Sequence, residues 1–493
     1  MRKININYTS DVHGYFYPTT YGDMEEKNIG LFKCYSQFIH DEDTLTIDGG
    51  DILQGSAFNF YCEQERSSCA EIAKIMSEAG YDYYTLGNHD FNYGTGYMRE
   101  YISGHSGRCL CENVTDREGS ILFPHIIKTM PNGLRVGIVG IVTDYVNVWE
   151  KKENIQDIII TDPFEAAKNA LEELRDKTDV NICIYHGGFE SDLDTGKRLS
   201  DTTENVGYKI CTELDYDLLL TGHQHMSVDG RYISGTYVVQ PMEYAKEFHK
   251  IEIKVYDRDD IKITSIRCAA DAKADDRLTK MFGEFESKVQ EWLNRPIGYI
   301  NRDLLPEDKV VMALNGSGIA QFLNRVQIYA SGAQLSAVGL ANEIAGFHKK
   351  VSTRDVIATY PYPNTLVVLE ITGRKLKNVC ERSAEYFQIR DGKVTVADSF
   401  LIPKIEHYNY DYYYGMDYSI DPYRQIGDRI TKMEIDGEPV KADKTYTICI
   451  NNYRQTGAGG YPDYKDCKVL KEINVEMVEL IMNYFHDVKN VEI

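Results

Sequence analysis

No stretch of the chain approaches the roughly eighteen consecutive apolar residues that a membrane-spanning helix needs, so no transmembrane segment is expected. The opening "MRKININYTSDVHG" enters a strand-like alternation at once, without the apolar core of a signal peptide. Positive charge is scarce: 54 Lys and Arg face 76 Asp and Glu, for a formal net charge of −22. That balance argues against a nucleic-acid polymer as partner, because such binding draws its affinity from basic patches. A small anionic substrate stays compatible if bound cations set the local field. The 11 cysteines are odd in number and scattered, several in apolar runs such as "VNICIYH" and "YTICINN". They read as buried, reduced thiols, and the expectation is a cytoplasmic protein with no membrane partner. Internal repeats and low-complexity tracts are missing as well.

What is present is an ordinary globular composition, 43% hydrophobic and 26% charged, over 493 residues, enough for two or three domains. The first 260 residues alternate short β-rich runs with helix-like segments. Strands are expected near Ile4–Tyr8, Thr44–Ile47, Tyr83–Leu86, Arg135–Ile141, Val180–Tyr185 and Asp217–Leu220. The segment "DPFEAAKNALEELRDK" (Asp162–Lys177) predicts a helix, with Asp162 as N-cap and Pro163 first. Alternating strands and helices imply an α/β layered domain over residues 1–270. The charged run 271–296 has helical period, stops before Pro296 and reads as a linker helix. Residues 297–493 mix helices ("SGIAQFLNRVQIYASG") with strands ("NTLVVLEITG", "TYTICINN") and form a second domain.

Five places in the first domain share one arrangement: an apolar run ends and metal-ligand side chains follow. "INYTSDVHG" offers Asp11 and His13. "LTIDGGDILQG" offers Asp51. "YTLGNHDFNYG" offers Asn88 and His89. "ICIYHGGFE" offers His186, and "LLLTGHQHM" offers His223 and His225. Groups just beyond the carboxyl ends of strands in an α/β sheet converge in one crevice. Each pair alone has an ordinary structural reading; five in register point to one site. Mixed nitrogen and oxygen donors without cysteine suit Zn²⁺, Mn²⁺, Fe²⁺ or Co²⁺. Asp51 is the natural bridge, since a carboxylate can hold two cations about 3.5–4 Å apart, the spacing used in phosphoester hydrolysis. His89 reads as an acid toward a leaving oxygen.

The ordered set DxH, GDxxQG, GNHD, His and GHxH resembles the calcineurin-like metallophosphoesterases of the 5′-nucleotidase superfamily. The second half is similar to that branch's C-terminal nucleotide-binding domain. The resemblance implies a four-layer α/β/β/α catalytic domain and a smaller α+β C-terminal domain. It implies one metal on Asp11, His13, Asp51 and His225, and a second on Asp51, Asn88, His186 and His223. It makes His89 the catalytic histidine, with Asn88 beside the phosphoryl oxygens. Relatives carry an Asp that orients this histidine; here the position is Asn92.

Within the superfamily, "DVHGYFYP", "HDFNYG", "YNYDYYYGMDYSID" and "INNYRQTG" are similar to the bifunctional 2′,3′-cyclic-nucleotide 2′-phosphodiesterase/3′-nucleotidases. The NGGGIR-like and GGDGY-like segments of typical 5′-nucleotidases are not intact; Gly459 or Gly460 stands where the latter's Asp would be. By this pattern two aromatics sandwich the base: Tyr453, and Tyr410 with Tyr408 as the alternative. The expectation is a dinuclear-metal hydrolase of small nucleotide phosphoesters. A 5′-nucleotidase or nucleotide-sugar hydrolase is the rival reading.

Overall fold

The computed structural model describes every residue except Met24, Ser200, Asp201, Arg258, Asp259, Pro363, Pro403 and Lys404. The chain forms two compact units: residues 1–20 with 24–290, and residues 21–23 with 291–493. In the first unit the strands that matter are β1 (Arg2–Thr9), β2 (Thr44–Asp48), β3 (Tyr83–Tyr84), β4 (Arg108–Cys109), β5 (Ile126–Thr129) and β6 (Arg135–Val142). They continue as β7 (Val180–His186), β8 (Leu218–Thr221), β9 (Val228–Ile233), β10 (Thr236–Gln240), β11 (Glu247–Asp257) and β12 (Asp260–Ala269). They make two six-stranded sheets, ordered β12-β11-β1-β2-β3-β4 and β9-β10-β8-β7-β6-β5. The strands β1 to β4 are mutually parallel, as are β6, β7, β8 and β10.

The two sheets pack face to face. Ile4, Ile6 and Ile47 of one meet Ile138, Ile182 and Leu220 of the other in a continuous buried core. Helices α1 (Ala70–Glu78) and α2 (Gly94–Gly104) flank the first sheet, where Tyr101 sits edge-on to Tyr84 at 5.6 Å between ring centroids. Helices α3 (Pro163–Leu174) and α4 (Gly207–Glu213) cover the outer face of the second through Phe164, Leu171 and Ile210. The layering is α/β/β/α, with strands buried on both faces reading as near-continuous apolar runs. Asp162 caps α3, accepting the N–H groups of Phe164 and Glu165 at 2.8 and 3.0 Å. The helix stops at Leu174, three residues before the sequence reading. Arg175 turns extended at φ −49°, ψ 137°, and Asp176 enters the left-handed region at φ 68°.

Helices at Asp276–Met281 and Gly283–Leu293 occupy the charged segment before Pro296. The second unit is built on β13 (Leu335–Gly339), β14 (Leu366–Thr372), β15 (Asp411–Tyr414), β16 (Thr445–Asn451) and β17 (Lys468–Ile473), in the order β15-β13-β16-β14-β17. Its core joins Leu335, Leu369 and Ile448 to Leu376 and Val379 of the helix Gly373–Ala384. The eleven cysteines are free thiols, all but Cys268 buried. Among the described residues no helix is long and apolar enough to cross a membrane.

Candidate metal centre

The ligand-bearing loops leave their strands in an unusual conformation. Backbone φ is 55° at Asp11, 51° at His13, 60° at Asp51, 74° at His223 and 52° at His225. Side-chain-bearing residues rarely adopt this region, at a cost of roughly 1–3 kcal/mol each, and hold it where the surroundings over-determine it. Those surroundings are main-chain ties between loops. The Asp11 N–H donates to Gly50 O at 2.9 Å, and the His13 N–H to Asp51 O at 2.8 Å. The His223 N–H donates to both Asp11 oxygens, at 3.0 and 3.1 Å.

Six of the seven expected ligands therefore stand in two groups around the seventh, Asp51. Ligand atoms of Asp11, His13, Asp51 and His225 all lie within 4.8 Å of one another. On the other side, Asn88 Oδ1 lies 3.2 Å from His186 Nε2 and 2.8 Å from His223 Nδ1. His186 Nε2 is also 3.1 Å from Asp51 Oδ2. His89 is adjacent, its ring 5.3 Å from that of His13.

The donor chemistry fits cations. His13 Nδ1 faces the Gln54 carbonyl at 2.8 Å, and His186 Nδ1 faces the Gly49 carbonyl at 2.7 Å. A carbonyl only accepts, so each Nδ1 carries a proton and each Nε2 faces inward, where the neutral His13 ring presents a lone pair. Asp51 is 1% exposed; its Oδ1 accepts the His89 N–H at 2.8 Å, and its Oδ2 has no hydrogen bond of proper geometry. Burial opposes ionisation of Asp11, yet the His225 hydrogen bond and the His186 charge hold its carboxyl down at about 2. Burial pushes the His13 imidazole down to about 4. Burial works the same way on His186, but the Asp51 carboxylate outweighs it and holds that ring up at about 10 without metal. A cation held at Asp51 would displace the His186 proton, so its affinity would rise with pH.

Three organising residues were not singled out by motif. Asp90 accepts main-chain N–H groups from Asp51, Ile52, Leu53 and Gly87, at 3.0, 2.8, 2.9 and 2.7 Å. It closes the GNHD motif, so a signal existed. Glu204 Oε1 accepts from His223 Nε2 at 3.0 Å, which leaves His223 Nδ1 to face Asn88. Glu150 meets Asn92, which in turn meets His89 Nδ1 at 2.8 Å. Neither glutamate lies near a motif in sequence.

In the second unit Tyr453 is 41% exposed at the start of the short helix Asn452–Gln455. Tyr410 is a core residue, which corrects the expectation that it stacks on a base. It is 2% exposed, its hydroxyl donates to Ala313 O at 2.7 Å, and the Tyr412 and Tyr386 rings cover it at 4.8 and 5.0 Å. Tyr408 is half-buried, with its ring edge-on to Tyr362 at 6.2 Å. Tyr362 is also edge-on to Tyr360 at 6.2 Å, so Tyr408, Tyr362 and Tyr360 form one cluster, and burial with these neighbours pushes the Tyr362 phenol up to about 12. Arg454 ties it together: its guanidinium donates to both Asp411 oxygens at 3.0 and 2.7 Å and to Tyr408 O at 3.1 Å.

Two family models cover the chain: calcineurin-like phosphoesterase over residues 4–227 and the 5′-nucleotidase C-terminal domain over residues 297–466. The chain is 30% identical to a Staphylococcus aureus structure described as a candidate 5′-nucleotidase in complex with alpha-ketoglutarate. Both chains are covered in full there, with a TM-score of 0.72. It is 24% identical to the trifunctional nucleotide phosphoesterase YfkN of Bacillus subtilis, matching 99% of this chain but only 38% of that protein. It is also 24% identical to the 2′,3′-cyclic-nucleotide 2′-phosphodiesterase/3′-nucleotidase of Salmonella typhimurium, over 92% of this chain and 81% of the relative. Fold, donor set and matches define a metal-dependent hydrolase of phosphoesters. The chain belongs to the calcineurin-like phosphoesterases that carry a 5′-nucleotidase C-terminal domain.

Proposed function

We propose that this protein opens nucleoside 2′,3′-cyclic phosphates and then removes the resulting 3′-phosphate, using two divalent cations that share Asp51. Asp51 carries the reading: a buried carboxylate between two groups of nitrogen and oxygen donors, its Oδ2 3.1 Å from His186 Nε2. Asp11, His13 and His225 would complete one cation site; Asn88, His186 and His223 would complete the other. Cations held there would neutralise charge on the phosphoryl oxygens and make a water acidic enough to attack near neutral pH. The protein's own groups do the rest. The Asn88 side chain lines the phosphoryl position. His89, with Nδ1 committed to Asn92, delivers a proton from Nε2 to the departing ribose oxygen.

The second unit supports the cyclic and 3′ reading over the 5′ one. At Gly459, φ is 71°, and an added Cβ would run into Arg454 Nη1 and Asn409 Oδ1. A side chain there would be strained and crowded, which disfavours an acidic ribose contact at Gly459. Tyr453 and Tyr408 supply stacking faces, each worth about 1–3 kcal/mol per base and nearly indifferent to its identity. The B. subtilis relative is named a trifunctional nucleotide phosphoesterase, and those from S. typhimurium, Yersinia enterocolitica and Haemophilus influenzae are named 2′,3′-cyclic-nucleotide 2′-phosphodiesterase/3′-nucleotidases. The 5′-nucleotidase reading is favoured by the S. aureus likeness.

Phosphate release from 2′,3′-cyclic AMP, 3′-AMP and 5′-AMP, with Mn²⁺ or with chelator, tests this. A coupled 3′-nucleotidase is omitted for the cyclic substrate, so that both steps must come from this chain. Activity on the first two, lost with chelator, is the expected result. Activity on 5′-AMP alone would replace the reading with a 5′-nucleotidase.

A further inference from the structure

We infer that Glu150 is the remote carboxylate of a His89–Asn92–Glu150 relay, holding His89 in its proton-delivering orientation through a neutral amide. The inference rests on the role given to His89 above. His89 Nδ1 lies 2.8 Å from Asn92 Oδ1, and Asn92 Nδ2 lies 2.9 Å from Glu150 Oε2. The other oxygen, Glu150 Oε1, accepts the Lys151 N–H at 2.7 Å and an Asn154 Nδ2 hydrogen at 2.8 Å. Asn154 Nδ2 also reaches Asn92 O at 2.7 Å, and Thr95 N–H donates to Asn154 O at 3.0 Å. Glu150 is thus set on a frame that joins the end of the helix Val146–Trp149 to the turn before α2.

The order of donors fixes the chemistry. A carboxylate only accepts, so Asn92 must turn its NH₂ toward Glu150 and its oxygen toward His89. His89 Nδ1 must then be the protonated nitrogen, and Nε2 is left to exchange its proton with substrate. An amide without Glu150 could rotate by 180° and present NH₂ to Nδ1, which would put the ring in the wrong tautomer. Glu150 prevents that rotation. It is a positioning residue, one bond network away from the reacting atoms. The charge that a histidine–carboxylate pair keeps in direct contact is moved one side chain outward here.

Glutamine cannot replace Glu150 alone. Its single oxygen serves either the Asn92 side or the Lys151 and Asn154 side, and its NH₂ then faces a donor. Aspartate cannot replace Asn92 alone, because two carboxylates would meet at 2.9 Å. Exchanging both satisfies every partner. The carboxylate then at position 92 accepts from His89 and from the amide then at position 150, whose oxygen accepts from Lys151 and Asn154.

The test is kinetic, on the metal-loaded full chain. Glu150→Gln, Asn92→Asp, the double variant and His89→Ala are compared on the best nucleoside monophosphate and on p-nitrophenyl phosphate. The second has a leaving group that needs little protonation. Glu150→Gln should lower kcat on the nucleotide by about 10- to 100-fold, the usual cost of a lost supporting carboxylate, with KM unchanged. The loss on p-nitrophenyl phosphate should be under about threefold, since proton delivery matters less there. The double variant should recover to within about threefold of wild type while each single variant stays low. Bound metal by mass spectrometry and the thermal midpoint should be unchanged throughout. Equal losses on both substrates, or a double variant worse than either single one, would overturn the relay while His89 keeps its role. A His89→Ala variant that shows no leaving-group bias would overturn both.

Discussion

Asp51 and Tyr453, to which the proposed function gives the cation and the base, lie in different units and are supported in opposite ways. Asp51 is buried, strained at φ 60°, and tied on both sides: its N–H donates to the Asp90 carboxylate and its Oδ1 accepts the His89 N–H. Tyr453 is exposed, at the start of a one-turn helix whose cap is Asn451. A cation must be met by several charged or lone-pair donors at fixed angles, so its site has to be rigid and dry before the ion arrives. A base needs only a flat apolar face and gains from stacking on almost any aromatic ring. The first unit therefore spends its buried polar groups on geometry, while the second offers surface.

The largest separation of the two units should come from removing the ions. Chelation, or Asp51→Ala, should cut turnover by on the order of 10³-fold or more on nucleotides and on p-nitrophenyl phosphate alike, the worth of several kcal/mol of charge stabilisation. Initial rates with and without restored Mn²⁺ check it; a loss confined to nucleotides would mean that Asp51 does not hold a cation.

Next comes Tyr410→Ala, which should cost about 3–5 kcal/mol of stability in urea unfolding, as removal of a packed aromatic does. The ratio of kcat/KM on nucleotide to that on p-nitrophenyl phosphate should not move. A shifted ratio with unchanged stability would return Tyr410 to the base site. Tyr453→Ala should do the reverse, raising KM for nucleotides by roughly 5- to 100-fold for a lost stack while leaving p-nitrophenyl phosphate and stability unaffected.

The smallest effect belongs to His125, whose partners Glu112 and Glu173 are not ligands. The hydrogen bonds to Glu112, at 3.1 Å, raise its pKa against the opposing effect of burial. A histidine raised above its unfolded value of about 6.5 stabilises the fold fully below that pH and loses the effect as pH climbs past its folded value. The thermal-midpoint gap between wild type and His125→Gln should therefore be wider near pH 5.5 than near pH 9, by differential scanning fluorimetry. An equal gap at both would mean that packing, not charge, is at work.

How far each unit was legible in sequence follows the same division. The candidate metal ligands were readable because each ends an apolar strand or follows it by two to four residues, and the strand ends share an edge. That is why Asp11, His13, Asp51, Asn88, His186, His223 and His225 could be assembled from linear motifs. Glu150 and Glu204 could not: they meet Asn92 and His223 only across the fold, and nothing in their neighbouring residues marks them. The tyrosines failed for another reason. Tyr408 and Tyr410 differ by two positions in a run where tyrosine is the commonest residue. Only the 3-10 turn His407–Asn409 decides which ring goes inward. The helix boundary after Leu174 failed because Arg175 and Asp176 are acceptable helix residues whose extended and left-handed backbone angles no propensity announces.

Asp90 grips only main chain: the N–H groups of Asp51, Ile52, Leu53 and Gly87. Asp90 therefore asks nothing of the side chains at 52 and 53, while Asp51 adds a tie of its own by accepting the His89 N–H. Any residue at 52 or 53 other than proline offers Asp90 the same N–H, so the main-chain frame of the crevice does not depend on what those two positions display.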